Sequence, residues 1–487
     1  MQPLDPRDRR IAELERALVI KDQRIGDLER ELAQTRAQLA AALGEIEQLK
    51  ALVLKLSKTS RNSSSPPSKD PPGTSRPRKP KTGRKRGGQP GHEGHKRAFL
   101  PAGKVVPVIP ESCECCGGKL SGQDPSPWRH QQVEVPPITP QVVDYLLHAL
   151  KCWGCGHVTR GQLPVEASGV FGARLCAIVA VCSGKFRLSK RLVQELLSDL
   201  LGVDIALGSV SNIEARVSSA LESPVAKAEQ FVPEQPFVHL DETGWREAKH
   251  RAWLWVAATS LVVVFRIACS RSKKVAQELV GMAFAGVAIS DRWSAYNWLP
   301  VMRRQLCWAH LLRDFQSWVD RGGKGAVYGK ALLKQAKRMF RWWHRVRDGT
   351  WTREKFERCM RPLMLDVAAL LTTAQHCRDK RVAGMANEIL KLEAALWTFV
   401  HHPGIEPTNN FAERCVRHAV LWRKGSFGTD SVQGSRFVER ILTVVTTLKL
   451  QRRNVLEYLT EAYRCSLRGE PAPCILPHNV APLAAAA

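Results

Sequence analysis

The chain has 487 residues, enough for about three domains at 100–200 residues each, and its 44% hydrophobic content supplies buried cores. No apolar run approaches the ~18–20 residues of a membrane span, and the opening MQPLDPRDRR lacks the apolar stretch of a signal peptide, so a cytoplasmic chain without membrane contact is expected. Lys and Arg number 73 against 46 Asp and Glu, and a formal charge of +27 calls for a polyanionic partner, most commonly nucleic acid.

Residues 8–57 read as a coiled coil. Heptads counted from Ile11 place Ile11, Leu18, Ile25, Leu32, Leu39, Ile46 and Val53 at the a positions, with Leu14, Leu28, Leu49 and Leu56 among the d positions. A lone helix cannot bury a seam of that period, so a partner is needed. A homo-oligomer is the expected form, and folding back on the same protein is the other reading. Lys21 and Thr35 interrupt the d row and are suited to setting register.

Residues 58–100 form a Ser/Pro-rich linker that turns basic. Between Arg76 and Arg97 there are nine Lys or Arg and one acid, Glu93, and Arg84, Lys85 and Arg86 sit at its centre. Such a segment can lie along phosphates and displace condensed counterions.

Residues 101–165 carry two cysteine pairs, Cys113/Cys116 in CECCGG and Cys152/Cys155 in CWGCG. Each CxxC turn aims two thiolates at one point, and two such knuckles make the tetrahedral cage of structural Zn²⁺, a zinc-ribbon-like domain. Cys115 is a spare thiol within reach of the first pair. The other nine cysteines are scattered singly, which fits a reducing compartment.

Residues 166–232 are helical. RLSKRLVQELLSDLL ends at Gly202, and GSVSNIEARVSSAL starts a second helix with Ser209 or Ser211 as candidate N-cap. The pair is compatible with a helix-turn-helix, with Lys190 and Arg191 facing DNA, and equally with two packed helices that touch none.

Residues 233–465 read as a mixed-sheet catalytic domain, followed by a tail at 466–487. PFVHLDETGW, HRAWLWVAATS and LVVVFRIACS form an antiparallel meander, then come helix KKVAQELVGM, strand AGVAIS and the strand-to-helix segment RRQLCWAHLLRDF. The order β-β-β-α-β-α-β-α is that of an RNase H-like fold. Asp241 ends the first strand and Asp291 the fourth, where such a sheet sets them side by side. Arg292 is the one basic neighbour in sequence. A carboxylate beside a buried strand is costly unless paired or bound to metal. A third oxygen ligand comes from TNNFAERCVRHAVLWRKGSFGT, where Thr408 or Asn409 caps a helix carrying Glu413; Glu406 and Glu439 are rivals. Arg414, Arg417, Arg423 and Lys424 around that glutamate suit a phosphate backbone, and two Mg²⁺ (or Mn²⁺) ions held by such acids can serve phosphodiester chemistry. His310, in a Cys307-x-x-His310 step, is a further phosphate contact or a packed core histidine. Trp253, Trp255, Trp293 and Trp298 stack on bases or pack in the core.

HLDETGWR, SDRWSAY, CWAHLLRDF and NNFAERCVRHAVLWRK, together with the coiled coil, the NSSSPPSKD linker, GGQPGH and the paired CxxC, resemble the insertion sequence 66 family of transposases in the same order. The resemblance implies an Asp–Asp–Glu triad at Asp241, Asp291 and Glu413, with a helical insertion at about 320–403. It implies DNA transposition by cleavage and strand transfer at terminal inverted repeats, nucleoid association, and accessory proteins of the same element. A nuclease of the same fold that cuts without joining, and a non-catalytic DNA-binding regulator, are the competing functions.

Overall fold

The computed structural model describes residues 6–56, 58–63, 70, 87, 94 and 97–477. Arg84, Lys85 and Arg86 lie outside them. The chain divides into two compact units, residues 73–162 with 190–210, and residues 1–72, 163–189 and 211–487.

Helix α1 spans Pro6–Leu56. Its a-position side chains are exposed along the length, from Ile11 to Val53, so the seam that the heptads define is uncovered within one chain. No described helix is long and apolar enough to cross a membrane.

In the smaller unit, strands β1 (Ala149–Lys151) and β2 (Val158–Arg160) pair antiparallel around the second cysteine knuckle. Elsewhere in 101–165 no further strand forms among the described residues, and Ser112 and Lys119 make an isolated bridge around the first knuckle.

After α2 (Ala173–Ala180) comes α3 (Lys190–Leu201), stopped by Gly202 at φ +61°. The Gly202 and Val203 amides donate back to the Ser198 and Leu197 carbonyls at 3.0 and 3.1 Å, the paired bonds that satisfy a helix C-terminus when a left-handed residue follows it. Helix α4 (Leu207–Ala220) starts earlier than expected. Ser209 and Ser211 therefore lie inside its first turns rather than at its N-cap.

The five-stranded sheet of the larger unit follows α5 (Glu222–Phe231). Strands β3 (Phe237–Glu247), β4 (His250–Ala258) and β5 (Val263–Ala268) form the meander; α6 (Lys273–Val280) leads to β6 (Val287–Ser290) and β7 (Arg304–Leu306). The strand order is β5-β4-β3-β6-β7, with β3, β6 and β7 parallel. One expectation fails: between β6 and β7 there is no α-helix, only 3₁₀ turns at Ser294–Tyr296 and Val301–Arg303. Pro300 has no amide to continue a helical ladder, and it stands just ahead of the second turn.

Helices α7 (Trp308–Arg321), α8 (Gly323–Arg347), α9 (Arg353–Ala374), α10 (Lys380–Leu390) and α11 (Thr398–His401) follow. They close a core around Trp318, Met339, Phe356 and Phe399 that continues into Ile289 of β6 and Leu306 of β7. The insertion expected at about 320–403 is thus a helical layer packed on one end of the sheet. Helices α12 (Asn410–Ser426), α13 (Val432–Leu450) and α14 (Val455–Leu467) complete the unit. Leu254, Val256 and Phe265 of the meander pack on Ala412, Val416 and Ala419 of α12 and on Val438 and Leu442 of α13.

The free edge of β5 is closed by side chains rather than by another strand. The amides of Val263 and Phe265 donate to the hydroxyls of Thr447 and Thr443, both at 3.0 Å, and the Ile267 amide to Glu439 Oε1. Three residues spaced four apart on α13 match the outward amides of alternate strand residues, so buried donors that would each cost about 1–3 kcal/mol unpaired are satisfied. Glu439 also pairs with Arg436 at 2.6 Å. It is committed to this edge, which removes it as a rival third ligand.

Candidate active site

The parallel register of β3 and β6 matches Phe237 with Val287, Val238 with Ala288 and His239 with Ile289. Two residues further along each strand stand Asp241 and Asp291. Apolar residues before them set the strands in the core. β3 does not end at Asp241, as its apolar run suggests, but runs on to Glu247 in the ladder with β4. Asp241 thus stands within the strand, while Asp291 directly follows β6. Asp241 Oδ1 accepts from the Glu242 amide at 3.0 Å, and Asp291 Oδ1 from the Trp293 amide at 2.9 Å.

Glu413 arrives on α12, which is fastened to β3 at both ends. At the N-terminal end Asn409, 2% exposed, donates its amide to the Leu240 carbonyl at 2.7 Å, and its Oδ1 meets His239 Nδ1 at 2.9 Å. The Asn409 backbone amide donates to Cys307 Sγ at 3.2 Å, and its carbonyl accepts from the Glu413 amide at 3.2 Å. Asn409 does precede the helix, but its side chain makes no cap hydrogen bond; it bridges to the strand that carries Asp241. At the other end Arg423 donates to Thr243 Oγ1 at 3.1 Å and to the Gly244 carbonyl, and the Thr429 amide donates to the Arg246 carbonyl at 2.9 Å.

Burial, then the charges of Glu242, Asp291 and Glu413, hold the Asp241 carboxyl well above the usual range. The negative charges of Asp291 and Glu413 thus disfavour the ionised form of Asp241. Among the described residues no Lys or Arg pairs with Asp241 or Asp291 within 4.0 Å. Arg292, the neighbour in sequence, pairs instead with Asp314 at 2.8 Å. Arg304, fully buried on β7, reaches only the Asp291 carbonyl, at 3.3 Å, and Asn297 Oδ1 at 2.9 Å. Hard oxygen donors with surplus negative charge fit a divalent cation such as Mg²⁺.

Glu242 was not singled out from the sequence, where it reads as a surface acid beside Asp241. Its side chain is buried, bonded by Arg271 Nε at 2.7 Å and by the Tyr296 hydroxyl. The Arg271 guanidinium lies 3.9 Å from the Trp293 ring centroid and 5.1 Å from that of Trp253. These contacts tie the turn between β5 and α6, strand β3 and the loop after Asp291 together. Trp255 is fully buried, so it belongs to the core.

His310 and Cys307 stand close to Glu413. Among the described residues, Cys307, His310 and Glu413 are the one group of three potential ligand atoms all within 4.8 Å of one another; the triad carboxylates are spread more widely. His310 Nδ1 is 3.9 Å from Glu413 Oε1 and has no hydrogen-bond partner. Burial, then Arg313, lowers the His310 pKa, so the ring is neutral. Burial pushes the Cys307 thiol up to about 11, which keeps it protonated and unsuited to nucleophilic work.

Of the basic residues around Glu413, Arg414, Arg417 and Lys424 are exposed and share one face of α12, while Arg423 is half-buried against β3. Glu406 is half-buried before the helix. Lys190 and Arg191 are exposed at the start of α3.

The two cysteine knuckles fold alike. The Gly117 and Gly156 amides close the turns on the Cys113 and Cys152 carbonyls at 2.9 Å, each glycine at a positive φ of +73° or +70°. Backbone amides of Cys116 and Cys115 lower the Cys113 thiol, and those of Cys155 and Gly154 lower Cys152, which favours the thiolates that a metal needs. The four sulfurs do not form a single group of ligand atoms within 4.8 Å.

A mixed α/β chain with one aspartate within β3, another just after β6, and a glutamate on a helix fastened to β3 has the frame of a polynucleotide-processing protein. The Transposase IS66 family model matches residues 168–436, and the chain belongs to that family. A family of unknown function (DUF6444) matches residues 5–98. Uncharacterized protein y4hP of Sinorhizobium fredii (strain NBRC 101917 / NGR234) is 23% identical over 388 residues, covering 71% of this chain and 69% of that protein. Uncharacterized protein y4qI of the same strain is 24% identical over 423 residues, covering 78% and 75%.

Proposed function

We propose that the chain is a DDE transposase that binds the ends of its insertion sequence, cleaves the DNA and joins the exposed ends to a target. The observation that supports this reading is the β3–β6 register, which puts Asp241 and Asp291 at matching offsets, together with the double fastening to β3 of the helix that carries Glu413. The strand order with an antiparallel meander beside two parallel strands is the arrangement expected of an RNase H-like sheet.

Asp241, Asp291 and Glu413 would hold the cations. Mg²⁺ or Mn²⁺ bound there supplies Lewis-acid activation of a hydroxyl and neutralises charge on the phosphodiester. Arg414, Arg417 and Lys424 receive the backbone beside the scissile bond. The neutral His310 ring is placed to hydrogen-bond a phosphate oxygen next to Glu413. In the joining step the terminal 3′-hydroxyl forms a new phosphorus–oxygen bond, and the target strand's own 3′-oxygen leaves with the proton, so no covalent protein intermediate is required.

The basic linker with Arg84, Lys85 and Arg86, the zinc-ribbon-like region and the Lys190/Arg191 end of α3 would grip the terminal repeats. Lowered thiols in two like knuckles support a structural Zn²⁺ at Cys113, Cys116, Cys152 and Cys155; purified protein free of zinc would overturn that assignment. The uncovered α1 seam supports pairing of two chains across two ends, and a strictly monomeric chain at micromolar concentration would count against it. Accessory proteins of the element would join the same assembly.

A pre-cleaved end with a free 3′-hydroxyl, offered with plasmid target and Mg²⁺, is expected to give joined products. Nicked target with no joined strand would instead identify a nuclease.

A further inference from the structure

Helix α8 carries eight Lys or Arg and no Asp or Glu in its 25 residues. Its apolar side is spent, since Leu332, Ala336, Met339 and Trp343 are buried in the insertion core. Opposite them Lys330, Lys334, Lys337, Arg338, Arg341 and Arg345 are all exposed. Steps of three or four residues keep these cations on one face.

Among the described residues, none of the six pairs with a carboxylate. Asp366 of α9, on the flank, accepts from Gln335 at 3.1 Å, and Asp348, just past the end of α8, feels the charge of Arg345 without pairing with it. Arg338 lies 4.5 Å from the Trp342 ring centroid and Arg345 5.1 Å from that of Trp351, and the two indoles stack at 5.9 Å. Those contacts hold two of the guanidinium groups in place without neutralising them.

We infer that this face of α8 is a second DNA-binding surface, one that follows the phosphates of a duplex and reads no base. The reading rests on the proposed transposase function and adds a contact that the triad and the terminal-repeat grip do not supply. From Lys330 to Arg345 the stripe runs about 22 Å at 1.5 Å per residue, matching about six base pairs at 3.4 Å each. Six like charges so close repel one another, and a polyanion relieves this where a neutral or cationic protein surface cannot. Duplex DNA supplies evenly spaced phosphates over the same length, so it is the occupant that the charge pattern fits.

The test is the salt dependence of binding by the full-length chain to a 40-base-pair duplex of arbitrary sequence, without divalent metal, followed by fluorescence anisotropy. The triple variant Lys330→Gln, Lys334→Gln, Lys337→Gln is compared with a control of equal charge loss, Arg358→Gln, Arg361→Gln, Lys380→Gln. All six positions are exposed, and thermal melts confirm that both variants are folded. The α8 variant is expected to lower the log–log salt slope by about 2–3 and to bind on the order of a hundredfold more weakly near 0.15 M salt, while the control keeps the wild-type slope. Equal slopes for the two variants would overturn the α8 surface and leave the transposase reading standing. Wild-type protein that bound no duplex at all would overturn both.

Discussion

Asp241→Asn should lower strand transfer by on the order of 10³-fold or more, about 4 kcal/mol of transition-state stabilisation, while making the metal-free protein more stable. Both effects have one cause. Asp241 is crowded by Glu242, Asp291 and Glu413 and lacks a cationic partner among the described residues. In the metal-free chain that repulsion opposes folding, and a neutral amide of the same shape relieves it by about 1 kcal/mol or more. With metal present the same carboxylate becomes an asset that an amide cannot replace. Wild-type protein should therefore gain thermal stability on adding Mg²⁺ or Mn²⁺, and Asp241→Asn should gain far less. Asp291→Asn and Glu413→Gln should share the loss of transfer. Thermal melts with and without Mn²⁺, alongside transfer of a pre-cleaved end, check both halves. Retained transfer by Asp241→Asn would refute the assignment. A metal-free variant less stable than wild type would show that Asp241 has a structural role which the geometry does not reveal.

The sheet was legible because each strand announces itself in its own residues. FVHL and VAIS are apolar runs that stop at an acid, and the meander strands are rich in β-branched and aromatic residues. The two aspartates stood out for the same reason, since an acid after a buried apolar run is a local anomaly, although β3 continues past Asp241 to Glu247, paired with β4 throughout. Asn409 was not. An Asn ahead of a helix has a sufficient local explanation as a cap, and only the fold reveals that its side chain bonds Leu240, 169 positions earlier. Arg423 and Glu439 misled in the same manner: one reads as a phosphate contact and the other as a rival ligand, yet β3 and the edge of β5 engage them. Arg292 looked like the partner of Asp291 through adjacency, but consecutive residues at a strand end point apart, and Asp314 of α7 takes its guanidinium. The basic face of α8 passed as ordinary helix because the eye follows its apolar positions. Its lack of acids matters only once the fold shows which side faces water.

Asn409→Ala should reduce single-turnover strand transfer by about 10²-fold with DNA affinity unchanged, and should lower stability by about 2–4 kcal/mol. The side chain is almost wholly buried, and both of its polar atoms are used, on the Leu240 carbonyl and on His239. Truncation leaves two buried polar groups without partners, a cost well above that of a lost surface bond. It also frees the first turn of α12, where Glu413 sits one turn beyond. The Arg423 and Thr429 contacts at the other end remain, so the helix should stay attached while Glu413 loses its fixed approach to Asp241. Metal affinity and transfer rate should fall together, because both need the same three oxygens in place, whereas Arg414, Arg417 and Lys424 continue to face the backbone. Asn409→Asp should be worse than Asn409→Ala, since a carboxylate cannot donate to Leu240 and adds a further negative charge to a region already crowded by Asp241, Glu242, Asp291 and Glu413. Single-turnover transfer, anisotropy with duplex DNA and thermal melts separate these effects. If Asn409→Ala lost stability but kept its transfer rate, Glu413 would have to be positioned by His310 and the remaining packing of α12, and the two-ended fastening would not be what sets the site.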